Sequence, residues 1–194
     1  MNPMLRKMSP SATKMIRLDH SHALVTFHKY ENKTPPQTKR AIVNTVSAAL
    51  EIHAQLEEEI FYPAIRELDV EGEVISKSVP EHDEMRRLIA KLRAMEPTDA
   101  GFDDTFMELM RDVIHHVADE ETVLLPAAER LLGEERLSDL GARMTKRRFE
   151  LAMPRAGEIA INTARAMPTS TVLMTAGAVV AGGFLVRRAL SSRL

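Results

Sequence analysis

The chain contains no cysteine, and aromatic residues make up only 4% of its 194 residues. Without cysteine there is no disulfide, no thiolate nucleophile and no Cys-based zinc or iron–sulfur site. Neither sign of charge dominates. Lys and Arg number 26 against 28 Asp and Glu, so no basic excess advertises a nucleic-acid partner. No strand-like alternation is present. The N-terminal stretch MNPMLRKMSPSATKMIRL carries charges and lacks a continuous apolar run, which argues against a secretory signal peptide. What is abundant is Leu, Ala, Glu, Arg and Met, a helix-forming composition.

Apolar residues recur at helical spacing through most of the first 132 residues. Four helices are predicted. The first covers roughly 11–30 and stops at ENKTPP, where two prolines break it. The second covers roughly 37–68, and the third starts near 73 or 80 and ends near 95. The PTDAG turn at 97–101 leads into the fourth, which covers roughly 102–132 and stops at Gly133. Short connections between long helices make neighbours antiparallel, so the expected fold is all-α: an up-down four-helix bundle over 1–133 with an additional C-terminal helical segment. Residues 134–166 read as a basic helical linker with a patch at Lys146, Arg147 and Arg148. Residues 167–194 read as an apolar Gly/Ala-rich helix. Its uncharged core, TSTVLMTAGAVVAGGFLV at 169–186, is at the lower length limit for a membrane span. It is a candidate membrane anchor, or a weakly hydrophobic helix that packs on the bundle or self-associates through its small residues. The expected location is cytoplasmic, with the inner membrane as the attachment point if the anchor reading holds.

Two stretches repeat one spacing. HAQLEEEIFYP starts at His53 and HHVADEETVLLP at His115. With His53 placed on His116, Glu57 falls on Glu120, Glu58 on Glu121 and Pro63 on Pro126. Residues i and i+4 share a helix face, so each His–Glu pair points one way. The stripe around the first carries Val46, Leu50, Ile60 and Phe61, and that around the second Leu109, Val113, Val123 and Leu124. Both pairs are therefore expected in the core, where a carboxylate costs several kcal/mol unless paired or metal-bound. A single His-x-x-x-Glu is ordinarily a surface ion pair; two matched copies on core stripes are not. His20 precedes His53 by 33 residues and His82 precedes His116 by 34. Helix 1 thus offers one His, helix 2 His and Glu, helix 3 one His, and helix 4 His and Glu. Four imidazoles and two carboxylates suit iron, manganese or zinc. Two carboxylates shared between two halves suit a pair of bridged metals.

The ferritin-like di-iron bundles use Glu-x-x-His and more Glu than His; here the order and the balance are reversed. The set formed by His20, HAQLEEEIFYPAI, Glu81-His82 and HHVADEETVLLPA resembles the hemerythrin family, specifically the bacterial His-His-Glu (HHE) cation-binding domains, over roughly 13–132. That resemblance implies a non-heme di-iron centre with two iron ions held by His20, His53, Glu57, His82, His116 and Glu120, the two Glu bridging. It implies O₂, nitric oxide or peroxide as the small-molecule partner. One position departs from the oxygen carriers, which add a fifth His four residues after the third-helix His; here it is Arg86. Two octahedral irons need about twelve bonds. The four imidazoles, two bridging carboxylates and a bridging oxygen supply about ten, so about two positions stay open. An open site suits reaction with peroxide or nitric oxide. Oxygen, nitric oxide or iron binding, a di-iron enzyme, a zinc or mononuclear site, and a metal-free interaction module are the functions to separate.

The remaining polar residues have simpler expectations. His22, His28 and His115 should face the surface or boundary, with His28 or Tyr30 within reach of the site's surroundings. Glu58, Glu59 and Glu121 should be solvated or paired with Lys and Arg. Glu81 and Glu84 are the candidates for a vacant coordination position. Pro63 and Pro126 should kink their helices just beyond the His–Glu pairs.

Overall fold

The computed structural model describes residues 6, 8–68 and 73–166. The candidate anchor at 169–186 lies outside them. Among the described residues there is no strand, and no helix is long and apolar enough to cross a membrane. The fold is all-α. Helix α1 (Ala12–Phe27) is followed by α2 (Pro36–Leu56), a π-helical turn (Glu57–Phe61) and α3 (Tyr62–Arg66), the last three making one rod. Helix α4 (Glu73–Ala94) is the third rod. The fourth is α5 (Phe102–Asp119), a second π turn (Glu120–Leu124) and α6 (Leu125–Ala152). A 3₁₀ turn (Met153–Arg155) leads to α7 (Ala156–Ala166).

Local chemistry sets the boundaries. Pro36 opens α2 at a position where its missing N–H leaves no helical bond unmade. Gly101, at φ 88°, precedes α5, whose first turn carries Asp103 and Asp104, well placed against the positive end of the helix. The expected stop at Gly133 is a change of direction: Gly133 has φ 69° and ψ 168°, and helix resumes immediately after it.

The two internal prolines act through the π turns. Each lies two residues beyond its turn, Pro63 after Glu57–Phe61 and Pro126 after Glu120–Leu124. A proline ring in a helix interior clashes with the carbonyl four residues back and donates no hydrogen bond. Widening the preceding turn relieves both problems. The Tyr62 N–H reaches back five residues to the Glu57 carbonyl, and the Leu125 N–H to that of Glu120. The extra residue also rotates the remainder of each rod. Val123, expected on the core stripe, is 55% exposed, while Leu124 and Leu125 are buried.

The core is split. One apolar cluster holds Ile16, Leu56, Phe61, Ile65, Leu125 and Leu140. The other holds Ile42, Val46, Leu88, Phe102, Phe106 and Leu109. His20, His53, Glu57, His82, His116 and Glu120 are all buried as well. The part of the chain after Gly133 packs back on the bundle, α6 against α1 and α7 against α2. At the first of these contacts Gly141 has no room for a side chain, since a Cβ there would lie 2.0 Å from the Pro10 carbonyl oxygen and 2.9 Å from the Ala12 nitrogen. Gly141→Ala must therefore push α6 off the start of α1. The expected cost is about 1–3 kcal/mol, as for other overpacked interiors. Thermal unfolding of the variant should show a midpoint lowered by several degrees; an unchanged midpoint would mean that this contact is not made.

Candidate metal centre

Each of the six side chains comes from a different helical position, and the bundle brings all six together. Glu57 and Glu120 start the two π turns on facing rods. His53 Nε2 lies 3.2 Å from Glu57 Oε2, and His116 Nε2 lies 3.6 Å from Glu120 Oε2, each across one helical turn. The contacts also cross between rods. His20 Nε2 is 3.2 Å from Glu120 Oε2, and His82 Nε2 is 3.5 Å from Glu57 Oε2. Two overlapping sets result, His20, His53, Glu57 and Glu120, and Glu57, His82 and His116. Within each set one donor atom per residue lies within 4.8 Å of all the others.

The imidazoles are oriented from behind. Each Nδ1 faces a carboxylate: His20 faces Glu121 at 2.9 Å, His53 faces Asp19 at 3.4 Å, His82 faces Glu58 at 2.8 Å and His116 faces Glu81 at 2.8 Å. An ionised carboxylate only accepts, so each Nδ1 carries a proton, and a cation in the layer would meet the Nε2 lone pair. This is the arrangement that fixes the tautomer of a metal-ligating histidine. The pattern obeys the repeat. The residue before each lone His (Asp19, Glu81) holds the His of the neighbouring rod, and the residue after each central Glu (Glu58, Glu121) holds a lone His. Sequence reasoning left Glu58 and Glu121 to solvent or to a Lys or Arg partner, which Glu58 has in Arg86, and offered Glu81 as a ligand. The D/E-H and H-x-x-x-E-E spacings were the available signal. Glu84 pairs instead with Arg87 at the surface.

Electrostatics follow from burial. Burial alone would raise the Asp19 carboxyl, but hydrogen bonds from His53 and Arg148 outweigh it and hold its pKa at about 2. Burial would likewise lower the pKa of His82, yet Glu57 and Glu58 push it up to about 9. His82 Nε2 stands 3.2 Å from His116 Nε2, a separation that needs a proton between two nitrogens when no cation is there. Burial also opposes ionisation of Glu120, and the facing imidazoles of His20, His116 and His53 overcome it and hold the carboxyl below its ordinary range.

Tyr62 is the residue that sequence reasoning missed. It is fully buried, and its hydroxyl lies 3.1 Å from Glu57 Oε2 and 2.9 Å from Glu120 Oε1, positioned to donate to either carboxylate. Its ring stacks on His82. On a straight α-helix a residue five positions on lies about 140° round the axis. The π turn brings it about one full turn on, over Glu57. Burial, together with the Glu57 and Glu120 charges, raises the phenol pKa far above its ordinary value. Tyr62 is therefore a fixed hydrogen-bond donor. The corresponding residue of the second repeat is Leu125.

The other expectations sort cleanly. His22, His28 and His115 are exposed. His28 bonds its own helix at the Leu24 carbonyl, and Tyr30 bonds Asp103, so neither serves the site. Arg86, in place of a fifth His, turns outward to a bidentate pair with Glu58 at 2.8 Å.

A cation fits these residues. His20 Nε2, His53 Nε2, Glu57 Oε1 and Glu120 Oε2 are buried without a hydrogen-bond partner, although His20 and Glu120 nearly touch. Orphaned donors and acceptors of this kind are costly in a protein interior, and all four aim at common points. On one side the imidazoles line a small cavity together with Asp19 and the apolar Ala23, Ala49, Leu50, Met85, Val113 and Val117.

Comparison with known proteins bears on the same residues. Residues 11–128 match the family described as hemerythrin HHE cation binding domain. A DNA nickase from Nostoc sp. is 30% identical over 129 residues, 66% of this chain and 36% of that protein. The chain thus spans about a third of the length of the curated relative it matches. The crystal structure of a hemerythrin HHE cation-binding domain-containing protein from Mycobacterium kansasii aligns with 85% of this chain and 98% of its own, at 18% identity and a TM-score of 0.64.

Replacing Tyr62 by Phe leaves the two carboxylate oxygens without their donor in a site closed to water. Metal-free Tyr62→Phe should lose about 1–3 kcal/mol of stability, read as a lowered midpoint in urea unfolding with an unchanged slope. An unaltered midpoint would show that the hydroxyl bond is not formed.

Proposed function

Since the chain belongs to the hemerythrin HHE cation-binding domain family, we propose that it is a non-heme di-iron protein that binds O₂ or nitric oxide. The observation that carries this reading is the convergence of four inward Nε2 atoms and two unexposed carboxylates, several of them unpartnered, in one buried layer. His20 and His53 would hold one iron and His82 and His116 the other, with Glu57 and Glu120 shared. When bound, the iron pair supplies reversible electron donation to a small ligand. The chain's own residues do the rest. Asp19, Glu58, Glu81 and Glu121 hold the imidazoles in one tautomer. Tyr62 holds the two shared carboxylates in register. Ala23, Ala49, Leu50, Met85, Val113 and Val117 make the wall beside the imidazoles apolar, which suits a small, weakly polar molecule better than a charged one.

A peroxide- or nitric oxide-consuming enzyme is the second reading. It is favoured by Arg86, whose guanidinium is engaged with Glu58 and leaves the fifth-histidine position unfilled. A nucleic-acid substrate has less support. Nicking is the activity of a protein of which this chain spans 36%, and 26 basic against 28 acidic residues is not the electrostatic footprint of a nucleic-acid surface.

Metal analysis after anaerobic loading with ferrous iron should give two iron ions per chain. Exposure to O₂ should then produce the near-ultraviolet absorption of a bridged ferric pair, which zinc cannot give. His53→Ala and Glu120→Ala should lose the binuclear signal with helical circular dichroism retained, and His22→Ala should keep both. Iron below about one per chain would end the di-iron reading, because the shared carboxylates imply a pair. Steady loss of added peroxide or nitric oxide would move the assignment from binding protein to enzyme.

A further inference from the structure

Of the four carboxylates behind the histidines, two are themselves gripped by an arginine. Glu58 is held by Arg86, a residue within the family-matched segment. Asp19 is held by Arg148, which lies in α6 after the Gly133 bend and beyond that segment. The Arg148 guanidinium forms a two-pronged pair with Asp19, Nη1 to Oδ1 at 2.6 Å and Nη2 to Oδ2. Asp19 Oδ2 in turn faces His53 Nδ1. We infer that Arg148 is a positioning residue of the metal centre, through which the C-terminal extension sets the orientation of His53 and thereby the strength of the His20/His53 half of the site. The inference rests on the di-iron reading.

Several observations separate this from a plain surface tether. The Asp19 side chain is 15% exposed and Arg148 34%, and the Arg148 Nε is buried with no hydrogen-bond partner. Leaving a guanidinium N–H unpaired is a cost that an exposed ion pair avoids. The neighbouring tethers differ. Arg147 pairs with Glu59 and Arg155 with Glu51, and neither Glu59 nor Glu51 touches a histidine of the site. Arg136 pairs with Glu67 at the surface as well. Among the described residues, four arginines of the extension thus bind it to the bundle, and of these Arg148 alone does so through a carboxylate that a candidate ligand leans on. Asp19 also faces His53 across the longest of the four carboxylate–imidazole contacts, 3.4 Å. Its direction therefore depends most on whatever else holds it.

Partners behind a ligand typically carry 10–100-fold in metal affinity. The test is titration of the full-length chain with Co²⁺, followed by its visible absorption, for wild type, Arg148→Ala, Arg148→Lys, Asp19→Asn and Arg147→Ala, with thermal midpoints measured alongside. Wild type should bind two ions. Arg148→Ala should weaken one binding event by about 10–100-fold and alter its absorption envelope, with the other event unchanged. Arg148→Lys should recover part of the loss, and Asp19→Asn should reproduce it without adding to it in the double variant. Arg147→Ala should lower the thermal midpoint as much as Arg148→Ala does and leave both events intact. Superimposable isotherms for Arg148→Ala and wild type would overturn the inference while sparing the metal site. Equal weakening by Arg147→Ala would overturn it too, by assigning the effect to docking of the extension in general. A wild-type chain that binds no Co²⁺ and no iron would remove the metal reading itself.

Discussion

Glu57 and Glu120 sit in the middle of the bundle with no solvent exposure, with an apolar cluster on either side. Moving a carboxylate out of water costs several kcal/mol even after the protein relaxes, and the cost returns only through pairing and hydrogen bonding. The surrounding structure can be read as that compensation. Four imidazoles face the two carboxylates, a phenol lies between them, and a second ring of carboxylates stabilises the imidazoles from behind. Removing any member leaves its neighbour buried and unpaired, which is why such layers tolerate little substitution. The geometry still leaves four atoms unpartnered. Side chains that close every other gap in the layer and leave these inward atoms open are arranged for a cation.

The backbone is bent to serve the same layer. A proline two residues beyond each widened turn makes the ordinary α-helical hydrogen-bond pattern unavailable there, and the π turn is the adjustment that keeps the rod continuous. That adjustment has a functional consequence in the first repeat. It carries Tyr62 round to the carboxylates, where an unbroken helix would have turned it away. In the second repeat the same turn delivers Leu125, which packs in the apolar cluster below. The two-fold repeat of histidines and glutamates is therefore exact in spacing for the ligand pairs and broken one residue beyond each turn.

The periodicity of the chain made the four rods legible, and the repeated His-x-x-x-Glu made the central six residues legible, because both depend on local spacing. The supporting ring was not. Glu58 and Glu121 look like solvated or Lys/Arg-paired neighbours when a helix is considered alone, since the histidine that each one meets stands on another rod. Glu81 was a candidate for a vacant coordination position, but neighbours on a helix point about 100° apart, and next to His82 it reaches His116 Nδ1 from behind instead. Val123 was misplaced, and Tyr62 passed over, because a uniform helical wheel has no way to register an inserted residue. The matched prolines were the visible trace of that insertion.

The two halves of the centre also differ in what stands behind their carboxylates. The His82 side is closed from within the bundle, by Arg86 on Glu58. An arginine at that position does more than leave a fifth histidine out. Its guanidinium fixes the carboxylate that fixes His82, so the position still acts on the site, from the outside. The His53 side draws the same kind of support from Arg148, past the Gly133 bend. The half that leans on the extension is the half that a shift of the extension reaches: Leu137, Leu140 and Met144 of α6 share an apolar cluster with Ala12, Met15 and Ile16 of α1, Gly141 closes on the start of α1, and arginines pair across the surface. Surface pairs of that kind contribute about 0–1 kcal/mol each. The buried apolar contacts therefore set how the extension docks, and Asp19 is the point at which that docking reaches His53.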